Sequence, residues 1–120
     1  MTRGREADVR IRDAEDRIEA AGNGTWAGRE LGRRATLVQF SSAFCQPCRA
    51  TRRILAEVAG MVPGVSHVEI DAEAELELVR ELRISGTPTV LVLDADGRTV
   101  LRATGQPRKI DVIAALGKAV

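Results

Sequence analysis

Residues 36–48 of this 120-residue chain read Thr-Leu-Val-Gln-Phe-Ser-Ser-Ala-Phe-Cys-Gln-Pro-Cys. The run over residues 36–40 is apolar and partly β-branched, which predicts a short buried strand. A helix is predicted after it, from about Cys45 to Ala59. It is expected to end there because a glycine and a proline follow that segment. Both cysteines of the chain, Cys45 and Cys48, therefore lie where a buried strand passes into a helix.

The chain continues as an alternation of strand and helix patterns. Strands are predicted over residues 65–70, 89–93 and 98–103, and helices over residues 73–82 and 107–119. The helices are expected to bury two sets of side chains: Leu76, Val79 and Leu82 in the first, and Ile110, Ile113, Ala114 and Leu116 in the second. Asp71 is predicted as the N-cap of the first of them. The final helix is expected to begin at Pro107, a residue suited to a first turn.

The connections between these segments predict the sheet. Helical crossovers require parallel strands, whereas the turn Asp94-Ala95-Asp96-Gly97 joins two antiparallel strands as a hairpin. Gly97 stands where that turn needs a positive φ. The order is β-α-β-α-β-β-α, so we expect an α/β domain with a mixed sheet and helices on both faces.

Residues 1–34 differ in composition from the domain predicted over residues 35–120. They are rich in charge, and Ile11, Ala14, Ile18 and Ala21 follow helical spacing, which favours an amphipathic helix. An edge strand that includes Val9 and Ile11 is the alternative. Trp26 and Leu31 are expected to pack onto the domain.

Composition excludes several classes of protein. The chain has one Trp, two Phe and no Tyr, and its formal net charge is +1, so neither stacking platforms nor a basic surface indicate a nucleic-acid partner. It lacks the long apolar run of a membrane span and the apolar core of a signal peptide. We expect a cytoplasmic protein as written, and a membrane-tethered or extracytoplasmic one if an upstream segment is missing.

The cysteine pair suits redox chemistry at this position. The first turn of a helix offers free N–H groups and the positive end of the helix dipole, which favour a thiolate. Cys45 is therefore predicted as the exposed nucleophile, and Cys48, one turn later, as the thiol that resolves a mixed disulfide. Pro47 is compatible with a first turn. Two alternatives are a zinc site, for which only His67 offers a further ligand, and a structural disulfide, whose short loop would add little stability.

The segments over residues 37–49 and 84–89 together resemble the active-site strand, helix and cis-proline loop of thioredoxins. The similarity extends over roughly residues 35–118 and implies a thioredoxin-like three-layer sandwich that needs no cofactor or metal. It also implies a cis peptide bond between Thr87 and Pro88, and a groove in which these two residues hold the substrate. Phe44, Gln46 and Pro47 would then contact the substrate or tune the redox potential.

The sequence departs from the thioredoxin pattern at four positions near the cysteines. Ser41 and Phe44 stand where the family commonly has tryptophan, with Phe44 expected to keep apolar cover beside the disulfide. Gln39 replaces a buried acid that helps to deprotonate the second cysteine, and His67 replaces that acid's lysine partner. An amide cannot accept the proton but a neutral imidazole can, so we hypothesise that His67 replaces the base or polarises Gln39. The alternative is that His67 only packs beneath the site.

These observations predict a thiol–disulfide oxidoreductase that reduces protein disulfides and is re-reduced by an upstream electron donor. Pro47 favours a reductant, because strongly oxidising relatives usually have histidine there. Two alternatives remain: an extracytoplasmic thiol oxidase or delivery factor, and a redox-silent module that binds peptides in the groove. We expect a monomer.

Overall fold

The computed structural model describes residues 8–10 and 24–120. Seven strands and three helices lie in these ranges, in chain order: β1 Asp8–Arg10, β2 Thr25–Trp26, β3 Arg29–Glu30, β4 Ala35–Ser41, α1 Gln46–Met61, β5 Val65–Asp71, α2 Leu76–Leu82, β6 Thr89–Asp94, β7 Thr99–Thr104 and α3 Lys109–Ala119. From β4 onward the order is the predicted β-α-β-α-β-β-α. The four strands predicted in this part are confirmed, each with bounds within one residue of the prediction.

Five strands form one mixed sheet in the order β1-β7-β6-β4-β5. Strands β4 and β5, which α1 connects, are parallel, while β4–β6, β6–β7 and β1–β7 are antiparallel. The turn between β6 and β7 has the expected hairpin form, with Gly97 at φ +87°. The Asp94 carboxylate accepts hydrogen bonds from the backbone N–H groups of Asp96 and Arg98, which explains why aspartate suits the start of this turn.

Helices cover both faces of the sheet, as predicted. On one face, α1 and α3 pack over a core that includes Leu37, Leu55 and Val112. On the other face, α2 and the β2–β3 hairpin enclose a second core around Phe40 and Trp26. Because successive residues of a strand point to opposite faces, β4 contributes alternately to both cores.

Helix α2 begins later than predicted, at Leu76 instead of Glu73. Asp71 is not its N-cap, because Asp71 is still paired with Ser41 in the sheet. Its carboxylate accepts the N–H of Glu73, and its carbonyl accepts those of Ala74 and Glu75, so a turn separates strand from helix. The buried face of the helix also differs from the prediction. Leu82 is buried as predicted, but its buried partner is Leu78, while Leu76 is 57% exposed and Val79 is only partly buried.

The predicted buried face of the last helix was wrong at three of its four residues, and only Leu116 is buried as predicted. Helix α3 begins at Lys109, two residues after Pro107, and buries Val112, Ala115 and Leu116. Ile110, Ile113 and Ala114 are exposed. These three side chains face solvent, whereas the buried set follows the i, i+3, i+4 spacing of one helix face.

The described part of the N-terminal region forms two pieces of β structure. Strand β1 pairs with β7, which agrees with the edge-strand alternative at Val9. The helix predicted over Ile11–Ala21 lies outside the described residues. Trp26 is 2% exposed and Leu31 packs against the same core, as predicted. The division of the chain at residue 35 stays a prediction.

Across residues 8–10 and 24–120, no helix is long and apolar enough to cross a membrane.

Candidate active site

The two cysteines lie at the N-terminus of α1. Cys45 is the N-cap residue, with extended backbone angles, and the N–H of Cys48 approaches its sulfur at 3.2 Å. No acidic residue lies in the first turn of this helix. A negative charge on the Cys45 sulfur would therefore be favoured by the free N–H groups and the helix dipole. Pro47 lies in the first turn, where its missing N–H leaves no hydrogen bond unmade.

Cys45 and Cys48 form a disulfide, with their Cα atoms 5.2 Å apart. The two sulfur-bearing residues differ in accessibility: Cys45 is half-buried, whereas Cys48 is 1% exposed. A large disulfide substrate can therefore approach Cys45 but not Cys48. This asymmetry supports the predicted division into nucleophile and resolving thiol.

The residues beside Cys45 form an exposed rim. Phe44, Gln46 and Pro47 are all exposed, and Phe44 is fully so at 101%. Phe44 also has φ +56°, in the left-handed region that is unusual for a residue with a side chain. That Phe44 keeps apolar cover beside the disulfide stays a prediction. A fully exposed aromatic ring next to a reactive disulfide is available to a partner.

The loop before β6 approaches the segment that leads to the cysteines. The Thr87–Pro88 peptide bond is cis. The hydroxyls of Thr87 and Ser42 are hydrogen-bonded at 2.7 Å, which joins this loop to the residues immediately before Cys45. Pro88 is buried, and its carbonyl accepts the N–H of Gly105 at 2.8 Å. Thr87 is therefore held at the surface next to the disulfide-bearing loop.

Gln39 lies beneath the first turn of α1 and is fully buried. Its Nε2 donates two hydrogen bonds, one to the carbonyl oxygen of Cys48 at 2.8 Å and one to the hydroxyl of Ser41 at 2.9 Å. Its Oε1 is buried and has no hydrogen-bond partner among the described residues. The site therefore contains an unsatisfied acceptor in the same amide group that contacts the resolving cysteine.

The hydrogen bonds continue from Ser41 to the protein surface. The Ser41 hydroxyl donates to Oε2 of Glu69 at 2.8 Å, and Arg52 binds both oxygens of that carboxylate at 2.7 and 2.8 Å. These hydrogen bonds from Arg52 are the main reason that the pKa of Glu69 lies below its ordinary value. Partial burial opposes the effect, while the Ser41 hydroxyl adds to it. Glu69 is therefore a carboxylate at neutral pH.

His67 lies on the same face of the sheet as Gln39 and Glu69. Glu69 is paired with Gln39 across the two strands, and His67 is two residues before Glu69 on β5. It is half-buried, and its Nε2 is buried without a partner among residues 8–10 and 24–120. Burial is the main reason that the pKa of His67 lies below its ordinary value; the positive charge of Arg52 lowers it further, while Glu69 opposes the shift. The imidazole is therefore neutral at pH 7. Both polar contacts of the Gln39 amide are made to other groups, so the role of His67 in proton transfer stays a prediction.

The sequence interpretation missed Glu69 and Arg52. A signal was available, since Glu69 pairs directly with Gln39 in the parallel register of β4 and β5. Glu69 is also two residues after His67, so the alternation of side chains along a strand would have placed it on the same face, beneath α1. With Ser41 these two side chains line part of a pocket of about 350 Å³, whose other lining residues are Ser42, Ala43, Asp71 and Glu73.

Comparisons with known proteins agree with this architecture. The chain is 29% identical to a thioredoxin of Chlamydia muridarum over 82 residues, which cover 68% of this chain and 79% of the relative. It is 28% identical to thioredoxin H2-1 of rice (Oryza sativa) over 80 residues, which cover 67% of this chain but only 57% of that protein. The chain thus spans little more than half the length of the rice relative.

A solved structure and a family model extend the comparison. The thioredoxin of Fasciola hepatica superposes with a TM-score of 0.64 at 21% identity, covering 74% of this chain and 84% of its own, which shows the shared fold. Residues 28–120 match the model of the thioredoxin-like domain family. With its disulfide at a helix N-terminus and a cis-proline loop beside it, the chain belongs to the thioredoxin-like family.

Proposed function

We propose that this protein reduces disulfide bonds in other proteins through the Cys45–Cys48 pair. The observation that carries the proposal is the asymmetry of the pair: Cys45 is accessible at the helix N-terminus, and Cys48 is 1% exposed directly behind it. Membership of the thioredoxin-like family and the observed disulfide support thiol–disulfide exchange as the chemistry.

The proposed reaction has two exchange steps. The thiolate of Cys45 attacks one sulfur of the substrate disulfide, whose S–S bond breaks, and the first substrate thiolate leaves. Cys48 then loses its proton and attacks the Cys45 sulfur, so the second substrate thiolate leaves and takes up a proton. Two electrons have passed to the substrate, and the protein is left with the Cys45–Cys48 disulfide. A separate dithiol donor must reduce that disulfide before the next cycle.

The exposed rim supplies a surface for the substrate. The ring of Phe44 is fully exposed beside Cys45, and Thr87 lies on the adjoining loop. An extended substrate segment could pack on the ring and pair with the backbone at Thr87, which would hold its disulfide against Cys45. The missing tryptophan at Ser41 alters this surface relative to the family pattern, so we propose a narrower set of protein substrates than that of a general thioredoxin.

The test compares the two cysteine variants in an assay of insulin disulfide reduction with an added dithiol. Wild type should accelerate reduction, and both Cys45→Ser and Cys48→Ser should lower the rate at least 100-fold. Cys48→Ser should in addition accumulate a mixed disulfide with the substrate, whereas Cys45→Ser should not. Equal activity of Cys45→Ser and wild type would mean that the cysteines play no part and that the groove serves only for binding.

The reduction potential determines the direction of the reaction. A reductant should show a potential near that of thioredoxin, about −270 mV, whereas a value near −120 mV is that of a strong oxidant. A strongly oxidising value would contradict the proposed direction and favour a thiol oxidase.

A further inference from the structure

The buried amide of Gln39 presents an acceptor without a donor. Its Nε2 is used twice, by the Cys48 carbonyl and by the Ser41 hydroxyl, which leaves Oε1 buried and unpartnered among the described residues. A buried carbonyl oxygen without a donor is destabilising, because its hydrogen bond to water has been lost without replacement. Such an atom calls for an explanation, and the chemistry of the neighbouring cysteine offers one.

Reduction of the disulfide creates a new donor beside this amide. When the Cys45–Cys48 bond is broken, Cys48 becomes a thiol that is as buried as the half-cystine, which is 1% exposed. Water cannot reach that thiol, and an S–H group is a weak hydrogen-bond donor. The Gln39 amide already contacts the backbone carbonyl of the same residue through Nε2, so its free oxygen lies in the same buried region as the new S–H group.

The orientation of the amide is fixed from outside the core. The oxygen and nitrogen of an amide could exchange places by rotation about the last side-chain bond. The Ser41 hydroxyl donates its hydrogen to Glu69, so toward Gln39 it presents lone pairs and requires an N–H. Arg52 in turn holds both oxygens of Glu69. The ion pair at the surface therefore selects which end of the amide faces Ser41.

We propose that Gln39 Oε1 accepts a hydrogen bond from the Cys48 thiol in the reduced protein, and that Glu69 is a positioning residue that maintains this orientation through Ser41. The inference rests on the redox chemistry proposed above. Its consequence is that the redox equilibrium of the Cys45–Cys48 pair shifts toward the dithiol, because a hydrogen bond that exists only in the reduced state stabilises that state. In the family pattern an acid at this position takes the proton of the second cysteine; here the amide instead favours keeping it.

The first test is the equilibrium of the pair with reduced and oxidised glutathione in Gln39→Met. Methionine has a similar volume and no acceptor of comparable strength. The hydrogen bond from Nε2 to the Cys48 carbonyl is lost in both redox states, so its loss does not alter the equilibrium between them. Any change in the equilibrium constant therefore reports the hydrogen bond of the thiol. We expect the equilibrium constant for reduction to fall about threefold to tenfold, which corresponds to a potential about 15–30 mV more negative. An unchanged constant would refute the acceptor role of Gln39.

The positioning role of Glu69 is tested by Ser41→Ala and Glu69→Ala, with Glu73→Ala as the control. Glu73 lines the same pocket, and its substitution removes the same charge, but no hydrogen bond connects its carboxylate to Gln39 among the described contacts. Both test variants should lower the equilibrium constant for reduction about twofold to fivefold, and the control should leave that constant unchanged. Wild-type values in both test variants, or an equal shift in Glu73→Ala, would overturn the positioning role.

A spectroscopic measurement needs no variant of Gln39 and so does not depend on whether that variant folds. In a Cys45→Ser background, Cys48 is the single thiol of the chain. Its infrared S–H stretching band should lie at lower wavenumber than that of a free thiol, and should rise in the Ser41→Ala and Glu69→Ala variants. A free-thiol band in the Cys45→Ser protein itself would overturn the proposal. These readouts use no protein substrate, so a failure of insulin reduction would be recorded separately from a failure of this inference.

Discussion

The two faces of strand β4 are built from different chemistry. Toward α2 the strand presents Val38 and Phe40, both fully buried in an apolar core. Toward α1 it begins with Ala35 and Leu37 but ends with Gln39 and Ser41, which are equally buried and polar. On the α1 side the change from apolar to polar occurs beneath the first turn of the helix, where the disulfide lies.

This difference indicates how stability and chemistry are divided within one strand. Removing apolar contacts should lower the free energy of unfolding without altering the redox pair. Changing the polar end should alter the pair at small cost in stability, because hydrogen bonds exchanged with water contribute only about 1 kcal/mol each. The following predictions test that division, beginning with the largest effect.

The largest effect is expected for Phe40→Ala on the apolar face. Truncation of a fully buried phenylalanine removes apolar contacts and leaves a cavity, so the free energy of unfolding should fall by about 3–5 kcal/mol. Denaturant titration of the oxidised protein measures this loss. The glutathione equilibrium should remain at the wild-type value, and a potential that moved with stability would contradict the division between the faces.

A smaller effect is expected from His67, which titrates on the polar face. Burial lowers its pKa, so the unfolded chain binds a proton at higher pH than the folded protein. Stability should therefore be complete above pH 6.5, the unfolded value, and should decline as the pH falls from there toward the lowered folded value. His67→Gln should flatten this part of the profile of unfolding free energy against pH. The charged groups that act on His67 are Arg52 and Glu69, and both are retained in the variant.

The same variant tests the proton-transfer hypothesis for His67. If the imidazole accepts a proton during exchange, the dependence of the exchange rate on pH should change in His67→Gln. An unchanged rate profile, together with a flattened stability profile, would show that the ring only packs beneath the site.

The smallest effect on stability is expected for Glu69→Gln. The Glu69 side chain is 32% exposed and its ion pair with Arg52 is near the surface, so the loss in unfolding free energy should be at most about 1 kcal/mol. Because the pKa of Glu69 is lowered in the folded state, the contribution is present above pH 4.5 and is lost as the pH falls through the folded value. Comparison of wild type and variant by thermal unfolding at pH 7 and pH 2 should show a difference only at pH 7.

Local patterns predicted most of the framework. The apolar run over residues 36–40 and the hairpin turn at Gly97 depend on contacts near in sequence, and the parallel pairing of β4 and β5 follows from the helix that connects them; all three were confirmed. The buried faces of α2 and α3 were misjudged, because a stretch with apolar residues on more than one stripe does not reveal which stripe meets the sheet. Which stripe is buried follows from how the helix packs against the sheet.

The active site divides in the same way. Cys45 and Cys48 stand in a short motif that carries its own chemistry, whereas the roles of Thr87 and Pro88 were implied by the resemblance to thioredoxins. The connection of Gln39 to Glu69 was not predicted, because their side chains are 30 positions apart and meet only through the parallel register of two strands.

The sequence by itself therefore determined the cysteine pair, its place at a strand-to-helix junction and the order of strands and helices along the chain. Spacing within a few residues is enough to define these features. Only the tertiary structure decided that Phe44 is fully exposed and that Ser41 connects the buried amide of Gln39 to the ion pair of Glu69 and Arg52. Burial and hydrogen bonding between distant segments depend on how the layers pack, and that packing is not a property of any one stretch of the chain.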